Sequence, residues 1–210
     1  MTNGLGLAEA VASRIAHDIS GPLQAISAAI DLFAAEDEAI RAEAGELAAQ
    51  AVRQLMARVA LIRAAWGREG APLSVDAVAK LAADALASSG VSVDIGRVEG
   101  ADRPVQGLDR VLLGALLVGA QGLPRGGAIV CAGSAGDVIA LSLSGEQAAW
   151  PAGLAALLAG EDPGAPLLEP RNIALPMLVL MARRHGVDLA LLLGAGQPLL
   201  TLTPRPGAGS

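Results

Sequence analysis

Aromatic side chains are nearly absent from this sequence: one Phe, two Trp and no Tyr in 210 residues, of which 53% are hydrophobic. Its core must therefore be aliphatic, built from Leu, Ala, Val and Ile, and suited to helices whose backbones approach closely. Sites that read bases or sugars by stacking need aromatic platforms and are disfavoured. Cysteine is also scarce. Cys131, in the apolar run AIVCAG, is the single one, so no internal disulfide can close, and it reads as a buried small hydrophobe of a cytosolic protein. Positive charge is outweighed, 15 Lys and Arg against 21 Asp and Glu, for a net charge of −6. An acidic chain repels phosphate backbones and anionic lipid, so neither nucleic acid nor a membrane surface is an expected partner. Long apolar runs are missing too: VLLGALLVGAQGL falls short of the roughly 18 residues a membrane span needs. No basic stretch precedes an apolar one at the start, so no signal peptide is expected and the predicted location is cytoplasmic.

What the chain does have is helical periodicity. Ala12, Ala16, Ile19, Leu23, Ile26, Ile30 and Phe33 recur at alternating spacings of four and three, a heptad seam. The acidic cluster Glu36, Asp37 and Glu38 crowds the start of a second helix, where the positive end of the helix dipole favours it. A second series runs through Ile40, Ala44, Leu47, Ala51, Leu55, Val59, Ile62 and Trp66. The short connection predicts an antiparallel hairpin. Two narrow seams bury little alone, so two chains are expected to pair into a four-helix bundle, making a homodimer. These features place a hairpin domain at 1–66 and a Gly/Pro-marked linker at 67–73.

Beyond the linker the pattern mixes. SVDAVAKLAADALASS and LDRVLLGALLVGAQGL read as helices, the second buried, and VSVDI as a short strand. AIVCAG and VIALSLS form a hairpin about Ser134–Asp137; VDLALLL and PLLTLT form another around Gly194–Gln197. Two further helices lie between, in PAGLAALLAG and RNIALPMLVLMARRH. Helices with antiparallel strands in this order predict a two-layer α/β domain over 74–204, an α+β chain overall, and a loose tail at 205–210.

One of the two histidines has unusual neighbours. His17 falls just outside the seam, on the wet side of the first helix, with Ala16 and Ile19 pointing into the bundle. Asp18 offers a carboxylate beside the imidazole, able to orient it or accept its proton. Pro22 cannot donate to the carbonyl of Asp18 and is expected to bend the helix, and Gly21 clears space beside the ring. An exposed, oriented, neutral imidazole is a good nucleophile toward phosphorus. His185, in the last turn of a helix before Gly186, reads simply as a cationic helix end. GLGL at 4–7 reads as a flexible start.

The stretch HDISGPLQAI resembles the H-box of histidine-kinase dimerisation domains. More closely, His-Asp followed by Pro in this register resembles the ChpT-like histidine phosphotransferases of alphaproteobacteria, and GLPRGGAI at 122–129 is similar to their LPRGG turn. The resemblance covers nearly the whole chain: an H-box hairpin, then a domain like the ATP-binding domain of histidine kinases. Kinases of this type place asparagines on the helix before the turn; the corresponding positions here are Gly114 and Val118, neither able to ligate a metal. The Asp-x-Gly-x-Gly element that reads adenine is reduced to Gly145 in LSLSGEQAAW, and EPRNIALPM, where the phosphate lid would lie, has no glycine. No nucleotide-binding or metal-binding residue is therefore expected.

The resemblance implies a phosphorelay intermediate in which His17 takes a phosphoryl group from the phospho-Asp of one receiver domain and passes it to another. Mg²⁺ would come with the receiver. The implied donor is the receiver of a CckA-like hybrid kinase, and the implied acceptors are CtrA- and CpdR-like regulators. His17 is the expected phosphoacceptor, with Asp18 its orienting neighbour. Ser13, Arg14, Ser20, Gly21, Pro22 and Gln24 are candidates for the receiver-docking surface by position, and Arg14 is either a phosphoryl contact or a solvated charge. Gly21 has no side chain to position a water, which puts phosphatase activity in doubt. Two alternatives stay open: an autophosphorylating kinase with an unusual nucleotide site, and a non-catalytic dimeric scaffold or kinase regulator.

Overall fold

The structure, a computed structural model, describes residues 4–35, 37–67, 70–161, 169–194 and 196–205. Two 29-residue helices come first, α1 (Gly4–Leu32) and α2 (Glu38–Trp66), packed as the expected hairpin. Gly4–Leu7 form the first turn of α1, so GLGL is helical and not the flexible start its glycines suggested. Helix α1 runs through Pro22 without a break. Asp37 caps α2, its carboxylate accepting from the Ala39 amide at 2.8 Å, and Glu38 lies in the first turn. Glu36 lies outside the described residues.

The hairpin is stitched by small residues. Ala10 and Ala29 on α1 and Ala44 and Ala51 on α2 are buried, whereas Leu23, Ile30, Phe33, Ile40 and Leu47 are exposed. Within one chain, then, these five large seam residues face outward while Ile19, Ile26, Leu55, Val59, Ile62 and Trp66 are half-buried, and Ala16 is exposed rather than directed into a core. The reason is geometric. Alanines allow close helix approach inside the hairpin, while the heptad spacing carries Leu23 and Ile30 onto the opposite side.

The second region holds α3 (Val75–Leu86), a 3₁₀ turn (Ala87–Ser89), β1 (Val91–Glu99), α4 (Leu108–Gln121), β2 (Gly127–Ser134), β3 (Ile139–Ser144), α5 (Leu154–Leu158), α6 (Ala174–His185), β4 (Val187–Leu192) and β5 (Leu199–Pro204). The sheet order is β1-β2-β3-β5-β4. Both expected hairpins form, but β1 pairs with β2 in parallel, because α4 carries the chain back across the sheet between them. The sheet is thus mixed where strand order had suggested antiparallel pairing. Alternate residues of its strands, Ile129, Cys131, Ile139, Leu141, Leu143, Leu200 and Leu202, are buried beneath α4, forming the aliphatic core with Leu112, Leu116 and Leu178. Pro124–Gly127 turns into β2 with Gly126 at φ 76°. His185 ends α6 beside Arg183 and Arg184, and Gly186 at φ 64° takes the left-handed cap position.

Gly67 and Leu73, at the two ends of the linker, are bonded to the core. Asp109 accepts from the Leu73 amide at 3.1 Å, and Arg110 donates to the Gly67 carbonyl at 2.7 Å; both side chains belong to buried residues. These bonds tie the end of α2 to the start of α4. Arg205, assigned by composition to the tail, pairs with Asp188 and donates its amide to the Gly186 carbonyl; residues 206–210 lie outside the described ones.

Cys131 is fully buried, and burial, reinforced by the Asp94 carboxylate, pushes its thiol up to about 12. Thiolate is the reactive form. A water-soluble disulfide reagent at pH 8 is therefore expected to leave Cys131 unmodified in native protein and to titrate one thiol after denaturation. Stoichiometric native labelling would contradict its placement.

Candidate functional site

His17 stands on the outer side of α1 with its side chain 83% exposed. Nδ1 lies 3.4 Å from Asp18 Oδ1, the long end of hydrogen-bond range. Asp18 is only 13% exposed and is held mainly by others: Arg14 Nε donates to Oδ2 at 2.8 Å, and Arg58 Nη1 sits 3.6 Å from Oδ1. The spacing of Arg14 and Asp18, one helical turn, makes the first pair intrahelical. Arg58 comes from α2. Asp18 thus holds an arginine from each helix of the hairpin beside the imidazole, and orienting His17 is the smaller part of what its carboxylate does.

Of the remaining positions singled out on α1, Ser13, Gly21 and Gln24 are exposed, and a Cβ at Gly21 would meet nothing within 4 Å. Ser20 turns its hydroxyl to the Ala16 carbonyl at 2.7 Å, partnering its own helix. Pro22 is half-buried. Arg14 is 25% exposed, and Nη1 reaches the Arg171 carbonyl at 3.4 Å.

That carbonyl brings the second domain to the site. Gln121, at the end of α4, donates to it at 2.8 Å. Arg171 and Glu169 form an ion pair at 2.8 Å, and Glu169, Pro170 and Arg171 line a groove of about 360 Å³ with Arg14 and His17. A second cavity, about 250 Å³, opens between the hairpin and the second domain. His17, Arg14, Asp18 and Arg58 form its polar side, and Trp66, Leu117 and Ile173 are on its apolar wall. Arg58, Gln121 and the 169–171 turn were not singled out by sequence. They become neighbours of His17 only through tertiary packing.

Gly114 and Val118, which the resemblance sets at the metal-ligand positions of kinases, lie in the core. A Cβ on Gly114 would meet Leu178 of α6 at 3.3 Å, and Val118 is fully buried. Gly145 lies against the Gly126 carbonyl, where a Cβ would come within 2.8 Å, so packing on the Pro124–Gly127 turn accounts for this glycine. Arg125 and Glu146 pair across the same turn. Among the described residues no cluster of three His, Cys, Asp or Glu side chains is arranged to hold a metal, and no helix is long and apolar enough to cross a membrane.

A search of curated proteins gives no match. Among solved structures, a bacterial phosphotransferase superposes with a TM-score of 0.76 over 96% of this chain and 98% of its own, at 23% identity. The histidine kinase domain of a blue-light activated histidine kinase from Erythrobacter litoralis aligns with a TM-score of 0.43 at 11% identity, over 92% of this chain and 93% of that one. Full-length ShkA in complex with AMPPNP gives 0.40 at 12% identity, over 95% of this chain and 47% of that one. The family model of the histidine phosphotransferase C-terminal domain matches residues 100–196, so the second domain is similar to that family, and the chain as a whole shares the fold of the bacterial phosphotransferase.

Proposed function

We propose that this chain is a phosphorelay histidine phosphotransferase of the ChpT-like kind, carrying a phosphoryl group between receiver aspartates on His17 without using ATP. The observation that carries the proposal is the exposed imidazole of His17 beside Asp18, on a hairpin joined to a phosphotransferase-type second domain. With its proton on Nδ1, facing Asp18 Oδ1, the ring directs the lone pair of Nε2 outward. Nε2 attacks the phosphorus of a receiver aspartyl phosphate, the N–P bond forms, and the receiver carboxylate departs with the electron pair of the broken P–O bond. The ring becomes cationic and Asp18 opposes that charge. Attack on phospho-His17 by a second receiver carboxylate reverses the step. The chain supplies the nucleophile and fixed charge, and Mg²⁺ belongs to the receiver. CckA-like donors and CtrA- and CpdR-like acceptors are the partners of choice. The burial of Val118 and the packing of Leu178 on Gly114 favour transfer between proteins over autophosphorylation.

The test uses two donors. Protein incubated with radiolabelled ATP and Mg²⁺ alone is expected to stay unlabelled, and to gain acid-labile, base-stable label from a phosphorylated CckA-like receiver. Label from ATP alone would establish the autokinase instead; no label from either would sink the proposal.

The homodimer belongs to the same reading. Leu23 and Ile30 of α1, Phe33 of the turn after it, and Ile40 and Leu47 of α2 give the hairpin an exposed apolar face at heptad spacing, the surface a second hairpin would cover in a four-helix bundle. Sedimentation equilibrium is expected to give twice the 20.9 kDa chain mass, and Ile30→Glu to give the chain mass itself. A monomeric wild type would refute the dimer.

A further inference from the structure

The two arginines beside His17 are not equivalent. Arg14 is tied on both sides, Nε to Asp18 and Nη1 to the Arg171 carbonyl. Arg58 meets Asp18 at 3.6 Å, beyond the length of a good N–H···O bond, and among the described residues this is its one ion pair. A guanidinium has five N–H donors in a fork matched to phosphate oxygens, so Arg58 retains most of its bonding capacity. It is 29% exposed, on the same cavity wall as His17. Moreover, Arg58 Nη1 and His17 Nδ1 face the same oxygen, Asp18 Oδ1. They share one acceptor.

We propose that Arg58 is a catalytic residue of the transfer, its guanidinium binding the non-bridging oxygens of the phosphoryl group as it moves onto His17. The inference rests on the phosphotransfer assigned to His17 above. When Nε2 forms its bond to phosphorus and the receiver carboxylate leaves, the imidazole becomes cationic while keeping its Nδ1 proton. That proton then binds Oδ1 more tightly, as a charge-assisted bond. Arg58, the more loosely held partner, is displaced from Oδ1 toward the new dianion on the same ring. No proton or co-reactant beyond the receiver and its Mg²⁺ is needed. Arg14, clasped by Asp18 and the 169–171 turn, stays as fixed positive charge, and the carboxylate leaves the trio with one net positive charge to meet the phosphoryl group.

Rapid-quench transfer from a phosphorylated CckA-like receiver in excess, to full-length wild type, Arg58→Ala and Arg58→Lys, separates this role from a docking or structural one. Loss of a hydrogen bond to a charged group predicts a maximal rate about 10- to 100-fold lower for Arg58→Ala and intermediate for Arg58→Lys. The half-saturating receiver concentration is expected to stay unchanged. In protein phosphorylated chemically by phosphoramidate, ³¹P NMR of phospho-His17 should show the last phosphoryl ionisation moving to higher pH in Arg58→Ala, because a cation favouring the dianion is gone. Arg58→Lys keeps the aliphatic stem on the cavity wall, so it decides the matter even if truncation disturbs the hairpin. Unchanged maximal rates and ionisation overturn the proposal, as does a loss of receiver affinity at full maximal rate, which would make Arg58 a docking contact. A wild type that takes no label overturns this proposal together with the phosphotransferase reading; a labelled wild type with an unaffected Arg58→Ala overturns this one alone.

Discussion

His17→Gln is expected to lose all phosphoryl acceptance from a receiver while melting within about two degrees of wild type. The exposure of the side chain separates the two effects. At 83% exposed, His17 contributes little packing, and its contact with Asp18 at 3.4 Å is long. Surface substitutions of this sort stay within about 0.5 kcal/mol. Chemistry, by contrast, has no substitute on this helix. Glutamine is not nucleophilic toward phosphorus, Ser13 and Ser20 carry unactivated hydroxyls, and Ser20 is bonded to its own backbone. Receiver binding should persist, because the substitution leaves the helix face and the charges of Arg14, Asp18 and Arg58 in place. Calorimetric or fluorescence titration with unphosphorylated receiver checks that part. Residual acid-labile label in His17→Gln would place the phosphoacceptor elsewhere.

Asp18→Asn is the second large effect, and it should act on rate and stability together. In the proposed transfer the carboxylate opposes charge on the phosphorylated ring, and it pairs with Arg14 and Arg58. An amide can still accept from His17 Nδ1 but cannot neutralise either arginine, and its N–H₂ turned toward them would repel. Transfer is expected to slow by about 10- to 100-fold, the scale of one charge-assisted hydrogen bond. Asp18 is mostly buried but its partners are a quarter or more exposed, so water screens much of the lost pairing. A cost of about 1–2 kcal/mol follows, a fall in Tm of roughly 2–8 °C for a chain of this size. Rapid-quench kinetics and a thermal melt read the two effects. A normal rate in Asp18→Asn would remove the carboxylate from the mechanism.

The sequence made the hairpin legible because two physical signals coincided: heptad spacing on both helices and acidic residues at a helix start, where Asp37 does cap α2. It also showed His17 off the seam. What it could not show was which side of each helix a single chain buries. Alanine and leucine both count as apolar in a periodic pattern, and only packing reveals that Ala29 and Ala51 are buried while Ile30 and Met56 are exposed. Strand alternation located both hairpins of the sheet, yet the parallel pairing of β1 with β2 depends on the path of α4, which no local pattern encodes. At the site, Asp18 was visible as the neighbour of His17, but its tighter bond is to Arg14 one turn earlier. Arg58, Gln121 and Arg171 are 41, 104 and 154 residues from His17 in the chain and meet it only after α2, α4 and the 169–171 turn have packed. Long-range neighbours of this kind leave no trace in spacing.

The most direct measurement is the position of the phosphoryl group itself. Protein exposed to a phosphorylated CckA-like receiver, quenched at alkaline pH and fragmented by electron transfer in a mass spectrometer, should carry one phosphoryl group, on residue 17. Heteronuclear ³¹P–¹H correlation on the same sample should assign it to Nε2, with Nδ1 protonated toward Asp18. Phosphoryl on His185, on Nδ1 of His17, or on no residue while the receiver still loses its phosphate would contradict the account.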